Sequence, residues 1–293
     1  MDISVIIPIY NSDKHLYRCL KSLIHQRGVD CEFICINDGS TDYSKQIIDQ
    51  FVTSDKRFRY IEKKHNGVSA ARNVGLDTAQ GRYVCFLDSD DYIKKNSLYK
   101  LYQTAEKYQC DVIKFNAKVI NGYDWMKQSF IKHDELIKDF SKKDVFTYKD
   151  CRPFIWCHFI KRDVIKNQRF DTNIQIGEDQ EFIIRYLHDV NTILFTSKKY
   201  YVYHNHADSS INRCGEEKIC RENIKLVKKV ASFIEDKSDL YKKWVFDTLY
   251  YSFEKTNRCD ELRSEILELL ISEQVYTAVS KSNIKIQRLL RGE

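Results

Sequence analysis

No stretch of the 293 residues approaches the roughly eighteen consecutive apolar residues that a membrane-spanning helix needs. The opening Met1-Asp2-Ile3-Ser4-Val5-Ile6-Ile7-Pro8 lacks a basic leader and a small-residue cleavage site. It reads as a first strand and predicts a cytoplasmic protein. Neither Gly-x-Gly-x-x-Gly after that strand nor Gly-x4-Gly-Lys-Ser/Thr occurs, which excludes the dinucleotide and P-loop fingerprints. Zinc-ligand spacing is missing too: Cys31 and Cys35 share one face of a strand, and Cys151 with Cys157-His158 has no second pair. The ten cysteines are scattered through expected strands and helices of a chain with no export signal, and so read as reduced core thiols. Internal repeats, low-complexity linkers and nucleic-acid motifs are also absent. The net charge of +6 is spread along the chain and suits anionic nucleotides or lipid surfaces without requiring nucleic acid.

What is present is an ordinary globular composition, 43% hydrophobic and 31% charged, in a chain long enough to bury a substantial core. Residues 4–9 form a β-branched run, and 14–26 place Leu16, Leu20, Leu23 and Ile24 on one helical stripe. The step repeats: a strand over 32–37, the Gly turn and polar caps of Asp38-Gly39-Ser40-Thr41-Asp42, then a helix carrying Ile47, Ile48 and Phe51. A strand over 58–62, an Asn66-Gly67 turn and an alanine-rich helix over 69–79 follow, then a strand from Tyr83, a helix over 96–108 and a strand over 111–115. This alternation predicts an α/β fold, a doubly wound and mostly parallel sheet with helices on both faces, whose loops face one crevice.

Residues 83–91, Tyr-Val-Cys-Phe-Leu-Asp-Ser-Asp-Asp, run an apolar strand into three carboxylates. If the extended backbone continues, Asp88 and Asp90 point the same way, a geometry suited to one Mg2+ or Mn2+ carrying phosphate oxygens. The alternative is a solvated acidic turn that caps the next helix.

Residues 121–149 are charged, aromatic and without clear period. A second acidic cluster, Gly177-Glu178-Asp179, opens a helix carrying Ile183, Ile184 and Leu187, and two strands are expected over 192–195 and 200–204 before a polar turn at 208–211. The α/β domain is expected over 1–215, with a nucleotide-binding half at 1–115 and an acceptor-side half at 116–215. Beyond it, 216–293 are helical by period in about three segments. Lys281, Lys285, Arg288 and Arg291 lie on one helical face opposite Ile286, Leu289 and Leu290, which reads as a peripheral membrane contact or as a solvated basic terminus.

Four stretches in order, Val-Ile-Ile-Pro-Ile-Tyr-Asn at 5–11, Asn-Asp-Gly-Ser-Thr-Asp at 37–42, Asn-Gly-Val-Ser-Ala-Ala-Arg-Asn at 66–73 and Phe-Leu-Asp-Ser-Asp-Asp at 86–91, resemble the family 2 glycosyltransferases. The resemblance covers 3–93 closely, extends more loosely through Gly177-Glu178-Asp179 and 203–211, and fades in the C-terminal helices. It implies the GT-A fold and an inverting transfer from a sugar nucleotide, assisted by Mn2+ or Mg2+. The donor implied is a UDP-sugar and the acceptor a glycan or lipid-linked glycan, as in bacterial surface polysaccharide synthesis.

By the same resemblance Pro8 and Tyr10 border the nucleobase, Asp38 accepts from a uracil-type N–H, and Asn66 and Arg72 line the nucleotide pocket. A flat aromatic face holds a base, and a carboxylate accepts from an imide N–H while repelling an acceptor atom. Asp88 corresponds to the ribose side and Asp90 to the direct metal ligand, both in the metal-binding motif, with Asp91 structural. Asp179 corresponds to the general base and Glu178 to its orienting neighbour. The bland readings beside these are a helix N-cap for Asp38, an ion pair with Asp88 for Arg72, and a helix-dipole role for Glu178-Asp179. For His204 and His206 a core or surface role is preferred over metal binding. A sugar nucleotidyltransferase would carry a Gly- and Arg-rich first loop, whereas here it is Pro8-Ile9-Tyr10-Asn11-Ser12. The remaining alternative is a non-enzymatic sugar-nucleotide-binding subunit.

Overall fold

The computed structural model describes residues 1–121, 131–140, 145–146, 154–206, 214–235, 237–255 and 260–275. Every residue of β1 (Ile3–Ile9) and β2 (Cys31–Asn37) is buried, because helices cover both faces of the sheet and alternate side chains enter opposite layers. Ile6, Ile34 and Ile36 join one core with Ala71 and Leu76 of α3 (Gly67–Thr78). Val5, Ile7, Phe33 and Cys35 join the other with Leu16 and Leu20 of α1 (Asp13–Ile24) and Ile48 of α2 (Ser44–Ser54).

Parallel pairing links β3 (Phe58–Glu62), β2, β1 and β4 (Tyr83–Phe86) in that spatial order, so the first four strands all end at the same edge. The chain continues through β5 (Tyr92–Ile93), α4 (Ser97–Tyr108), β6 (Val112–Ile120) and β7 (Glu135–Ile137). A 3-10 turn at Ile155–Cys157 then feeds β8 (His158–Lys161) and the short α5 (Arg162–Ile165). β8 inserts antiparallel between β4 and β6, since it enters from the edge at which β4 finishes and must run back along it. The parallel order is therefore a property of the first four strands, and the whole sheet is mixed.

Residues 192–195 and 200–204 are not two strands but one, β9 (Ile193–His204), parallel to β6. Its polar Ser197-Lys198-Lys199 forms a bulge, where the register on β6 shifts around Asn116. Ser197 there bonds the Asp134 carboxylate through its N–H at 2.7 Å. β5 and β7 flank β9 antiparallel, and the pairing of Tyr92 with Val202 returns residues 204–206 alongside the 88–91 loop.

Helix α6 (Glu178–Leu187) precedes β9. Among the described residues three helices follow it, α7 (Glu216–Ala231), α8 (Asp239–Lys255) and α9 (Asp260–Ser272), as the period predicts. Leu226, Val230, Val245, Leu249 and Ile266 share one core with Ile6, Phe86 and Phe182, so these helices extend the α3–α6 layer and have no separate core of their own. The 208–211 turn and the basic face at 281–291 lie outside the described residues. No helix among the described residues is long and apolar enough to cross a membrane.

Candidate active site

The ends of β1, β2 and β4 open onto one crevice, and short polar side chains tie their loops together. Asn11, in the left-handed region at φ 47°, accepts from Thr41 N at 2.8 Å and donates its own N–H to Ser40 Oγ at 3.0 Å. Ser12 and Ser89 share a 2.6 Å hydroxyl bond, and the Asp42 carboxylate takes Asp13 N at 2.9 Å and Ser44 N at 3.0 Å. Pro8 is buried inside β1 opposite Ile36, whereas Tyr10 is 47% exposed at the strand end and stacks on His65, centroids 4.0 Å apart.

Asp38 is buried and caps a helix, though not the one that follows it in sequence. Its carboxylate accepts from Asn66 N at 3.0 Å and Gly67 N at 2.9 Å, the first amides of α3, and pairs with Lys63 and His65. The cap at α2 falls to Asp42 instead. Asn66 contributes its backbone here as the residue before α3.

The three acids after β4 do not continue the strand. A turn closes at Asp88–Asp91, with Asp91 N donating to Asp88 O at 3.1 Å, so strand alternation does not set their directions. Asp88 meets Arg72 at 3.2 Å; burial raises its pKa, Arg72 opposes that rise, and Asp90 adds to it. Asp91 is buried and accepts from Tyr201 OH and His204 N, both at 2.7 Å, a loop-to-strand brace. Its carboxyl is pushed well above the usual range by burial, then by Asp90 and Asp88. Asp90, one-third exposed, lies 2.8 Å from His206 Nε2.

That last contact sets His206 against an acid of the cluster, through the β5–β9 pairing. His15 of α1 lies beside the His206 ring at 4.4 Å between centroids, and His204 is 6.0 Å from it. Among the described residues no three His, Cys, Asp or Glu side chains already converge as a metal cage. Asp90 and His206 nevertheless supply a carboxylate and an imidazole at a partly open position, a donor set that fits a divalent ion whose other sites are filled by diphosphate and water.

Across the crevice, α6 begins at Glu178 after Gly177, whose φ of 85° suits glycine. Arg72, only 5% exposed, donates to Glu178 at 2.9 Å and to Asp88 at 3.2 Å and lies over the Phe170 ring at 5.3 Å. Burial works against its charge, but Asp88, Glu178 and Asp179 outweigh it and hold the guanidinium protonated. The Arg72–Asp88 pair, the bland alternative for Arg72, is thus half of a bridge between both acidic clusters.

Asp179 makes one long contact, from Ile155 N at 3.5 Å. Burial first, then the Glu178 and Asp88 charges, push its carboxyl up to about 8, with Arg72 pulling the other way. A carboxylate poised near neutral pH and short of hydrogen bonds is suited to taking a proton from a bound hydroxyl. His65, His206 and Phe170 are the site-facing residues that motif reading missed. The His204-x-His206 spacing carried a signal for one of them.

Known proteins resemble this chain. GlyA, a glycosyltransferase of Streptococcus pneumoniae, is 32% identical over 210 residues, covering 69% of this chain and 30% of GlyA. Poly(ribitol-phosphate) β-N-acetylglucosaminyltransferase TarS of Staphylococcus aureus is 28% identical over 206 residues, 69% of this chain and 35% of TarS. The chain spans about a third of the length of either relative. The structure of TarS 1–349 in complex with UDP-GlcNAc matches with a TM-score of 0.78 at 20% identity, over 99% of this chain and 88% of that one. The mannosyltransferase PcManGT of Pyrobaculum calidifontis, in complex with GDP-Man and Mn2+, matches at 0.60 and 15% identity, over 99% and 79%. Both likenesses show the shared GT-A fold. The profile of Glycosyl transferase family 2 matches residues 4–168, more than half of the sequence, and the chain belongs to that family of glycosyltransferases.

Proposed function

We propose that the protein moves a sugar from a UDP-sugar to a hydroxyl of a glycan or related cell-surface polymer, with inversion, and that Asp179 is the general base. The observation that carries this reading is the Arg72 bridge, which ties Asp88 on the donor side to Glu178 beside Asp179. Donor-binding and proton-accepting groups thereby face one crevice. Tyr10 offers a ring face at its mouth, Pro8 and Asn66 flank the base pocket, and the Asp38 carboxylate supplies an acceptor for an imide N–H. A divalent cation, Mn2+ or Mg2+, fits against Asp90 with Asp88 and His206 beside it, and would supply positive charge to a departing diphosphate.

The residues themselves do the rest. Asp179 accepts the proton of the acceptor hydroxyl as that oxygen attacks the anomeric carbon. The bond from that carbon to the diphosphate oxygen breaks on the opposite side, which inverts the configuration. Arg72 holds the Glu178 carboxylate in place beside Asp179, and Asp179 carries the mobile proton. TarS acts on poly(ribitol-phosphate), which supports a hydroxyl-rich surface polymer as the acceptor class.

A thermal-shift and calorimetry panel of UDP-, GDP-, CDP- and dTDP-sugars with Mn2+ tests the donor. The UDP-sugars are expected to give the largest shift, with slow donor hydrolysis or transfer that Asp90→Ala abolishes. A larger response to GDP-sugars would contradict the role of Asp38. Tight donor binding without turnover on any acceptor, unchanged in Asp179→Asn, would make the protein a binding subunit.

A further inference from the structure

We propose that His65 occupies the place of the nucleobase in the unliganded protein, and that the donor must displace its ring to bind. The inference rests on the reading of Tyr10 and Asp38 as the base site. Two features of a pyrimidine base are reproduced by this one side chain. Its ring stacks on Tyr10 with centroids 4.0 Å apart and planes 20° apart, which leaves no space for a second ring between them. Its Nδ1 lies 2.9 Å from an oxygen of Asp38, the acceptor that an imide N–H would use.

The Asp38 carboxylate has about four lone-pair sites. Asn66 N, Gly67 N and the Lys63 ammonium take three of them, and the His65 ring sits beside the carboxylate, its Nδ1 2.9 Å from Oδ2 and hydrogen-bonded at 3.1 Å to the Asp38 backbone carbonyl. The two amides belong to the start of α3 and cannot leave without unwinding it. Lys63 has no stacking face. Only His65 blocks the ring face and the acceptor together, and its side chain is 52% exposed, free to swing into solvent.

Its backbone lies close against Gly39, at φ +72°, where an added Cβ would come within 3.0 Å of His65 N. Opening the site as proposed is a rotation of the side chain. The apparent affinity for the donor is lowered by the fraction of molecules in which the ring covers Tyr10.

Calorimetric titration of UDP, uridine and inorganic pyrophosphate, with Mn2+ present, tests this on wild type, His65→Ala and His65→Phe. His65→Ala is expected to bind UDP and uridine about tenfold more tightly than wild type, with pyrophosphate unchanged. His65→Phe keeps a ring on Tyr10 and should gain less than about threefold. Equal or weaker uridine binding by His65→Ala would overturn the proposal and make the imidazole a wall of the site or a bystander. A gain that extends equally to pyrophosphate would also overturn it, because pyrophosphate has no base to compete. Should wild type and both variants bind pyrophosphate but not uridine, the base-site reading itself falls, and this proposal with it.

Discussion

At the ends of β1, β2 and β4 short polar side chains hold neighbouring loops to one another, whereas across the crevice a helix from far along the chain packs behind the turn that leads to Asp179. Asn11, Ser12 and Asp42 each bond a loop from another strand, at 2.6–3.0 Å. Glu222 of α7, buried, accepts Gln175 N at 2.6 Å, and Leu226 packs where a Cβ on Gly177 would come within 2.9 Å of it. Lys229 of the same helix pairs with Asp171 at 3.0 Å. The donor side is thus built locally, while the placement of Asp179 depends on the C-terminal helices.

Arg72 joins the two acidic clusters, so its loss should affect both sides. Arg72→Ala removes the shared partner of the partly buried Asp88 and Glu178, and should cost about 1.5–3 kcal/mol in urea unfolding while weakening UDP-sugar binding and turnover together. Loss of one function alone would break the bridge as described. Glu222→Ala removes the acceptor for Gln175 N, at an expected cost of about 1–3 kcal/mol. It should lower kcat several-fold without changing the Kd for UDP. Glu222→Gln keeps an oxygen there and should retain most activity; equal effects of the two variants would make Glu222 a matter of charge and not of positioning.

The raised pKa of Asp179 carries its own sign. A carboxyl held above its unfolded value favours the folded state while protonated, and that contribution fades as pH rises from the unfolded value near 4 toward about 8. Asp179→Asn never ionises, so its Tm should exceed that of wild type by a margin that widens between pH 5 and pH 8.5. Catalysis runs the other way, with turnover rising as the carboxylate forms. Smallest of all, Ser89→Ala removes the Ser12 hydroxyl bond and should cost about 1 kcal/mol or less, with Asp179-dependent chemistry intact.

The same contrast decides what could be read from the sequence. Tyr10, Asp38, Asp88 and Asp90 sit at strand ends that alternate with helices, and parallel strands must gather such ends at one edge, so their meeting was legible. The bounds of β3 were legible for the same reason, through a short β-rich run with turns on both sides. His206 was not, because its partner Asp90 is 116 residues away and is reached only through the β5–β9 pairing. Nor was the turn at Asp88–Asp91, which needs Tyr201 and the His204 backbone to hold Asp91. Helical period located α7 but carried no information on Glu222 beneath Gln175, since a buried acid on a helix looks like any surface acid until the fold is known.

The division of labour between the two sides is tested most directly by measuring donor affinity and turnover on one preparation of Asp179→Asn. With Mn2+ and a UDP-sugar, calorimetry should give a Kd within about twofold of wild type, while donor hydrolysis or transfer falls by at least about a hundredfold. Turnover within about tenfold of wild type, at unchanged affinity, would contradict the assignment of the proton-accepting role to Asp179.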